Sequence, residues 1–534
     1  VGSSRAARER ERGARPARRR SAKGRGPAAD MSRVITAAEL AGHATAADMW
    51  IAIDGDVYDV SKFARLHPGG AKVLEELAGH DVTNEFYELH RADVLTRYKR
   101  LILGRLEGSG ERESVDGALS LVPFAEIPAF QGQHSPYFNE SHRRLLQGVR
   151  SFVQRELVPT AMQTDLSGDY SDAALHRKLA ENGLMVTRMG PGPWLKAAVS
   201  YGVRIPGDVK PEEFDYFHEM IVHQEIARLG LPGYIDSLGA GYLISAPAIF
   251  HFGTDAMKQT VGKELLLGEK WSALAISEPF AGSDVAAIKC TAQRTPDGKH
   301  YIVNGVKKWI TEGTYADYFV TAVRTGGSGS GGISLLLIER SEGVATSQIK
   351  TTYSTCAGTA LVIFNNVKVP VENLLGVEQE GFRLIMRNFN HERWLIVNNL
   401  LGQVRAAVAD TFLWAKQRKV FGKALIEQPV IRNKLAACVA ALESVQAFNE
   451  ALTYDMIKDK DGPIGTRMAG PIGMLKYQTT RMAWNVADDA VQILGGRGIT
   501  RTGMGAKVEG LKNYVKYAAV YGGSEEIMAD MAIK

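Results

Sequence analysis

The chain has 534 residues, 45% apolar and 23% charged, which fits a folded protein of three or four domains and excludes a disordered one. No run reaches the roughly 18 apolar residues of a spanning helix, so no transmembrane segment is expected. Three scattered cysteines, Cys290, Cys356 and Cys438, are too few for a disulfide framework or zinc site. They suit an intracellular, reducing compartment, with mitochondrial matrix, peroxisome and cytosol left open.

The net charge of +5 is local. Residues 1–30 carry nine Arg and one Lys against Glu9, Glu11 and Asp30, which leaves the rest of the chain at −2. This arm has almost no large apolar residue and is expected to be disordered. Four readings stay open for it: a binding arm for acidic partners through Arg18, Arg19 and Arg20, an organelle presequence, a solvated tail, or sequence upstream of a start at Met31.

Residues 31–106 read as a small module. Trp50-Ile51-Ala52-Ile53, the turn pair Asp54-Gly55 and Val57-Tyr58-Asp59-Val60 predict a hairpin. His67-Pro68-Gly69-Gly70 comes next, then a helix with Val73, Leu74 and Leu77 on one side. His90 stands 23 residues after His67, with Phe86 one helical turn before it. The Pro-Gly-Gly turn sets the first imidazole at a loop tip, and short helices bring the second to face it across a slot. Such a slot can clamp a flat macrocycle with iron ligated from both sides. The segment resembles cytochrome b5 over about residues 34–106. That resemblance implies haem b held by His67 and His90, with no open iron position and therefore one-electron transfer.

Residues 107–135 read as a linker, flexible at Gly108-Ser109-Gly110 and denied helix by Pro123, Pro128 and Pro136. Its apolar pieces Leu121-Val122-Pro123-Phe124 and Ile127-Pro128-Ala129-Phe130 predict docking on a surface. Residues 136–270 read as helices, one of them Glu213–Leu229, stopped by Gly230 and Pro232. Residues 271–382 read as strands, with Asp297-Gly298 and Asn304-Gly305 as hairpin turns and a loop Gly326–Gly332 before Ile333–Ile338. Residues 383–534 return to long amphipathic helices. This order indicates an α+β architecture.

Leu274-Ala275-Ile276-Ser277-Glu278-Pro279-Phe280-Ala281-Gly282-Ser283-Asp284 predicts a strand running into a loop whose N–H and hydroxyl groups suit a flavin's polar edge. Trp309-Ile310-Thr311 predicts an aromatic and a hydroxyl on one strand face. Singly, these also fit an ordinary turn and a core strand. Together with Arg418-Lys419-Val420-Phe421-Gly422-Lys423, Gln492-Ile493-Leu494-Gly495-Gly496-Arg497-Gly498 and Tyr521-Gly522-Gly523-Ser524-Glu525-Glu526-Ile527, they resemble the acyl-CoA dehydrogenase family over about residues 136–534.

The resemblance implies an N-terminal helical domain, a middle β domain and a C-terminal helical bundle, assembled as a homodimer or homotetramer around FAD. Leu274, Ala275, Ile276, Ser277, Ser283, Trp309, Ile310 and Thr311 would line the flavin, with Ser283 also near the thioester. Arg418 would approach the FAD pyrophosphate, where its fork suits phosphate oxygens. Gln492 and Gly496 would touch FAD across a subunit boundary, and Ser524, Glu525 and Glu526 its adenosine end. Gln428 falls one position earlier than the glutamine that family members commonly place at FAD. The implied substrate is an acyl-CoA, and the implied acceptor a separate electron-transfer flavoprotein or the haem of the same chain. No nucleic-acid partner is expected.

Dehydrogenation needs a carboxylate to remove the proton α to the thioester. Many family members carry it just before the glycine of a C-terminal Tyr-Glu-Gly motif, where this chain has Gly522, followed by Gly523. Long-chain and isovaleryl-type members carry it upstream, and Asn390-His391-Glu392-Arg393 matches that motif, which implies Glu392 as base and Asn390, Arg393, Gly522 and Gly523 near the substrate. Independently, Phe382, Ile385, Met386, Phe389 and Ile396 form an apolar stripe at helical spacing. At 100° per residue Arg393 falls within that stripe, Glu392 at its edge and His391 away from it. A buried Glu–Arg pair tying helices together is the alternative reading of these two residues. The region Gly190–Phe217 departs from the family, so acyl length is not carried over. The rival function is a flavin-binding relative without dehydrogenase activity that binds nucleic acid through the basic arm.

Overall fold

The computed structural model describes residues 33–90, 92–109, 117–170 and 172–534; the basic arm lies outside them. The chain divides into a smaller amino-terminal unit ending at Glu111 and a larger one from Arg112 to Lys534, to which Tyr87–Arg91 also belongs.

In the smaller unit, Asp48–Ile53 pairs antiparallel with Asp56–Asp59. Asp54 and Gly55 turn the chain with φ of 55° and 80°, the left-handed pair a two-residue hairpin needs. Five short strands line up in the order Val34–Ile35, Ile102–Leu106, Asp56–Asp59, Asp48–Ile53, Ala44–Thr45. Ile35, Leu40, Trp50, Ala52 and Val57 form the core behind them. The chain also forms the helices Ala71–Leu77, Thr83–Leu89 and Ala92–Arg97.

The larger unit opens with helices. The expected helix Glu213–Leu229 is shorter, Tyr216–Ala227, because Asp215 accepts the N–H groups of Phe217 and His218 and fixes the start. Of the two apolar linker pieces, Leu121 is almost fully exposed, whereas Ile127, Ala129 and Phe130 enter the helical core. Glu126 holds that segment down. Its carboxylate accepts two hydrogen bonds of 2.7 Å from Arg150, and Arg150 also donates to Glu225 at 2.7 and 2.8 Å. Burial opposes ionisation of Glu126, but Arg150 and Arg228 outweigh it and hold the carboxyl below its ordinary value.

The middle region is a mixed sheet in the order Val344–Gln348, Ala360–Pro370, His300–Ile310, Thr291–Arg294, Tyr318–Arg324, Ile333–Glu339, Leu374–Leu375, with Ser272–Ala275 pairing parallel to Tyr318–Arg324. Two expectations fail here. Asn304-Gly305 is no hairpin turn but the middle of the eleven-residue strand His300–Ile310. Gly305 is there for closeness: a Cβ on it would meet Cys290, just before the neighbouring strand Thr291–Arg294, at 2.6 Å. Strand alternation also does not set the directions of Trp309 and Thr311, because Trp309 has φ of 67° and the strand ends at Ile310.

Five helices close the unit: Gly381–Gln417, Pro429–Lys458, Ala469–Leu494, Ala506–Val520 and Glu525–Ile533. The first is 37 residues long, and every residue from Asn390 to Ala409 is buried. The one-sided stripe therefore understates it. His391, expected to point away, is enclosed because other helices pack on the remaining faces.

Replacing Arg150 by Met leaves Glu126 and Glu225 buried without a countercharge and is expected to cost about 3–5 kcal/mol in denaturant unfolding. In the wild type the contribution of Glu126 is present above the ordinary carboxyl value of 4.5 and is lost as pH falls through the depressed folded value. A variant as stable as the wild type at neutral pH would contradict this.

Candidate active site

The fully enclosed stretch of the central helix carries the chemistry. Glu392 is 6% exposed, and its Oε2 has no hydrogen-bond partner among the described residues. Burial raises its pKa to about 7, against the opposing charges of Arg393, Lys476 and His391. Lys476, from the helix Ala469–Leu494, is itself lowered to about 7 by burial and by Arg393.

Gly522 and Glu392 converge. A Cβ built on Gly522 would stand 3.5 Å from Glu392 Oε1 and 3.8 Å from Lys476 Nζ. The two positions at which the sequence allowed a base thus address one spot, and only one of them carries a carboxylate. Gly522 and Gly523 both have positive φ, 64° and 96°. Their turn is pinned by Arg393, whose Nε donates to the Gly522 carbonyl at 3.1 Å, and by Lys476, which donates to the Tyr521 and Gly523 carbonyls. Asn390 accepts from Arg393 at 3.2 Å and donates to the Gly465 carbonyl. Asn390 and Arg393 thus hold the turn beside Glu392. His391 bonds Glu219 at 2.8 Å.

The loop after Ser272–Ala275 is built on a buried ion pair that the motif alone does not announce. Glu278 accepts from Lys289 N at 2.7 Å, Cys290 N at 2.9 Å and Lys307 Nζ at 2.8 Å. Lys307 also donates to the Ile276 carbonyl at 2.9 Å. Leu274 and Ser277 stay half-buried, Ala275 and Ile276 are buried, and Ser283 is exposed. Across from this loop Trp309 is 54% exposed, Ile310 is buried and Thr311 is half-buried. Lys308 Nζ lies 4.6 Å from the Trp309 ring, and Lys308 N donates to the Ser277 carbonyl, which ties this strand to the loop; a half-exposed indole there fits a flavin ring.

Arg418 closes the central helix, its guanidinium 5.9 Å from the Trp414 ring, and Arg497 lies 4.5 Å from the same ring. Neither has a carboxylate partner among the described residues, so two cations share one indole and suit a diphosphate. Arg497 lies inside a motif the sequence singled out, but the reading did not assign it a role. Gln492 and Gly496 are exposed near it in sequence, and Gln428 is half-buried before Pro429–Lys458. Ser524 caps the last helix, Glu526 is exposed, and Glu525 bonds Thr480 and Arg481, each at 3.2 Å.

In the amino-terminal unit His67 follows the turn Ala64–Leu66, and its Nδ1 donates to the Gly70 carbonyl at 3.1 Å. That bond orients the ring, as the hydrogen-bond partner of a metal-ligating histidine does. A Cβ on Gly69 would meet His67 Cε1 at 2.9 Å, which explains the glycine. Half-buried His90 follows the helix Thr83–Leu89 and belongs, within Tyr87–Arg91, to the larger unit. The two imidazoles are the donor type that a haem iron takes.

Comparison with known proteins agrees with this geometry. Residues 379–534 match the acyl-CoA dehydrogenase C-terminal domain, residues 273–367 its middle domain, and residues 36–107 the cytochrome b5-like haem/steroid binding domain. The acyl-CoA dehydrogenase apdG of Emericella nidulans is 40% identical over 420 residues, 78% of this chain and 95% of that protein. Mitochondrial isovaleryl-CoA dehydrogenase of Oryza sativa is 28% identical over 375 residues, 69% of this chain and 85% of that one. Butyryl-CoA dehydrogenase of Megasphaera elsdenii superimposes with a TM-score of 0.65 at 26% identity, over 75% of this chain and 98% of that one. The fold and site are those of a flavoprotein oxidoreductase. The chain belongs to the acyl-CoA dehydrogenase family and carries a cytochrome b5-like domain before its dehydrogenase body. That family uses FAD, and the cytochrome b5-like domain binds haem. No described helix is long and apolar enough to cross a membrane.

An infrared titration of the carboxyl stretch, with Glu392→Gln as reference, is expected to give an apparent pKa near 7 for Glu392. Lys476→Met removes a facing cation and should move it upward. An ordinary value near 4.5, or a downward shift in the variant, would contradict the site as described.

Proposed function

We propose that this protein oxidises an acyl-CoA thioester between Cα and Cβ, with Glu392 as the base and the haem domain of the same chain as the electron acceptor. The convergence of Glu392 on Gly522 carries the reading: one carboxylate stands where either family position would put it. FAD, when bound, supplies the acceptor for the β-hydrogen as hydride. The chain's own residues do the rest. Glu392 takes the α-proton onto a carboxylate whose pKa of about 7 suits a weakly acidic carbon at neutral pH. Arg393 and Lys476 keep the Gly522–Gly523 turn beside it. Trp309, Ser277 and Thr311 would hold the flavin ring, and Arg418 with Arg497 its diphosphate.

His67 and His90 would hold haem b, which would supply a one-electron acceptor. Tethering on one chain raises the effective concentration of this acceptor over a separate electron-transfer flavoprotein. The likeness to isovaleryl-CoA dehydrogenase supports the upstream base and leaves chain length open. A homodimer or homotetramer is part of the proposal.

Anaerobic stopped-flow mixing with a series of acyl-CoAs tests both halves. Flavin bleaching followed by haem reduction is expected, with Glu392→Gln slowing bleaching by several orders of magnitude. Unchanged bleaching in that variant would return Glu392 to a structural ion pair. Haem that stays oxidised after the flavin is reduced would point to a separate acceptor.

A further inference from the structure

A cluster of phenols beside Glu392 has no part in the proton and hydride steps. Tyr514 and Tyr517 come from the helix Ala506–Val520, Tyr521 from the turn that follows, and Tyr353 from the loop after Val344–Gln348. Ring centroids lie 4.7 Å apart for Tyr353–Tyr517, 6.0 Å for Tyr353–Tyr514 and 4.5 Å for the stacked pair Tyr517–Tyr521. The hydroxyls of Tyr514 and Tyr521 are 2.8 Å apart. Tyr353, 8% exposed, has a hydroxyl with no hydrogen-bond partner among the described residues. Asp236, from Pro232–Ser237 and 6% exposed, faces Tyr353, and its charge acts on all four tyrosines.

The cluster runs into the base. Tyr521 directly precedes Gly522, whose Cβ position is 3.5 Å from Glu392 Oε1. Tyr517 neighbours both Thr311 and Glu392. The cluster thus extends from the Gly522–Gly523 turn beside the base, through Tyr521 and Tyr517, to Tyr353. Enclosing that many polar groups against a plain alkyl chain is costly unless each finds a partner.

We propose that this cluster is the wall of the acyl pocket and that the preferred acyl group carries a neutral oxygen function, a hydroxyl or ketone, beyond Cβ, hydrogen-bonded by Tyr353 and Asp236. The inference rests on the dehydrogenase reading and deepens it. A carboxylate on the acyl chain is the wrong charge: Arg188, the cation facing Asp236, also faces Glu312 and donates to the Leu238 carbonyl at 2.7 Å. Two acids thus already share one guanidinium. Burial raises Asp236 to about 7, so around neutral pH its carboxyl can donate to a ketone or accept from a hydroxyl.

The test uses the holoenzyme with matched substrates: hexanoyl-CoA, 5-hydroxyhexanoyl-CoA and 5-oxohexanoyl-CoA, and the octanoyl set oxygenated at C5 or C7. A site built to hydrogen-bond a substrate oxygen discriminates strongly against the analogue lacking it. At the preferred length, kcat/KM for flavin bleaching is expected to be at least about 100-fold higher for an oxygenated member than for the alkyl one. Tyr353→Phe, which keeps the packed ring, should narrow that ratio at least tenfold. Alkyl substrates turned over as well as or better than their oxygenated partners, or a ratio unmoved by Tyr353→Phe, would overturn the inference and leave the dehydrogenase standing. Flavin that bleaches with no member would remove the dehydrogenase reading and this one with it.

Discussion

A carboxylate surrounded by protein on all sides is stable only if something nearby answers its charge, and this requirement organises the larger unit. Glu392 lies in a helix enclosed for twenty residues, from Asn390 to Ala409, so it cannot reach water by rotating. Arg393 and Lys476 supply the answering charges, yet Lys476 directs its ammonium at the Tyr521 and Gly523 carbonyls and Arg393 its Nε at Gly522. The result is a carboxylate close enough to cations to ionise near neutrality and still without a hydrogen bond at Oε2. A structural ion pair would close that bond; the proposed base needs it open.

The same principle recurs at the flavin loop. Lys307 and Glu278 are both buried, and together they bind the Ile276 carbonyl and the amides of Lys289 and Cys290. Burial lowers the lysine's pKa, but its contact with Glu278 opposes this, and the pair ties the loop to the sheet. The linker segment uses a third buried network, Glu126 with Arg150 and Glu225, to seat Ile127 and Phe130 in the helical core. Each network is a place where breaking one partner costs more than the pair contributes.

What the sequence disclosed follows from how local each signal is. The Asp54-Gly55 hairpin was legible because its turn demands two left-handed residues in succession. Glu392 could be named as the candidate base because an absence at Gly522 and a presence at Glu392 can both be read along the chain. Asn304-Gly305 misled because its glycine answers to the approach of Cys290 from another segment. Trp309 and His391 misled because strand alternation and helix amphipathicity presume a regular strand and a one-sided helix. Lys476, Lys307 and the Tyr353–Tyr517 contact join segments far apart in sequence, and no periodicity points to them. The two family resemblances reached the architecture; the tertiary contacts that surround the base needed the structure.

The central claim is that Glu392 moves the α-proton, and hydrogen exchange at that carbon reads it without relying on electron transfer. An acyl-CoA whose β-carbon is replaced by sulfur has no hydride to give, so only the proton step remains. Incubated with the holoenzyme in D2O and followed by mass spectrometry, it should gain deuterium at the α-carbon with wild-type protein and not measurably with Glu392→Gln. Equal exchange by the two proteins would contradict the account, because another group would then be moving the proton.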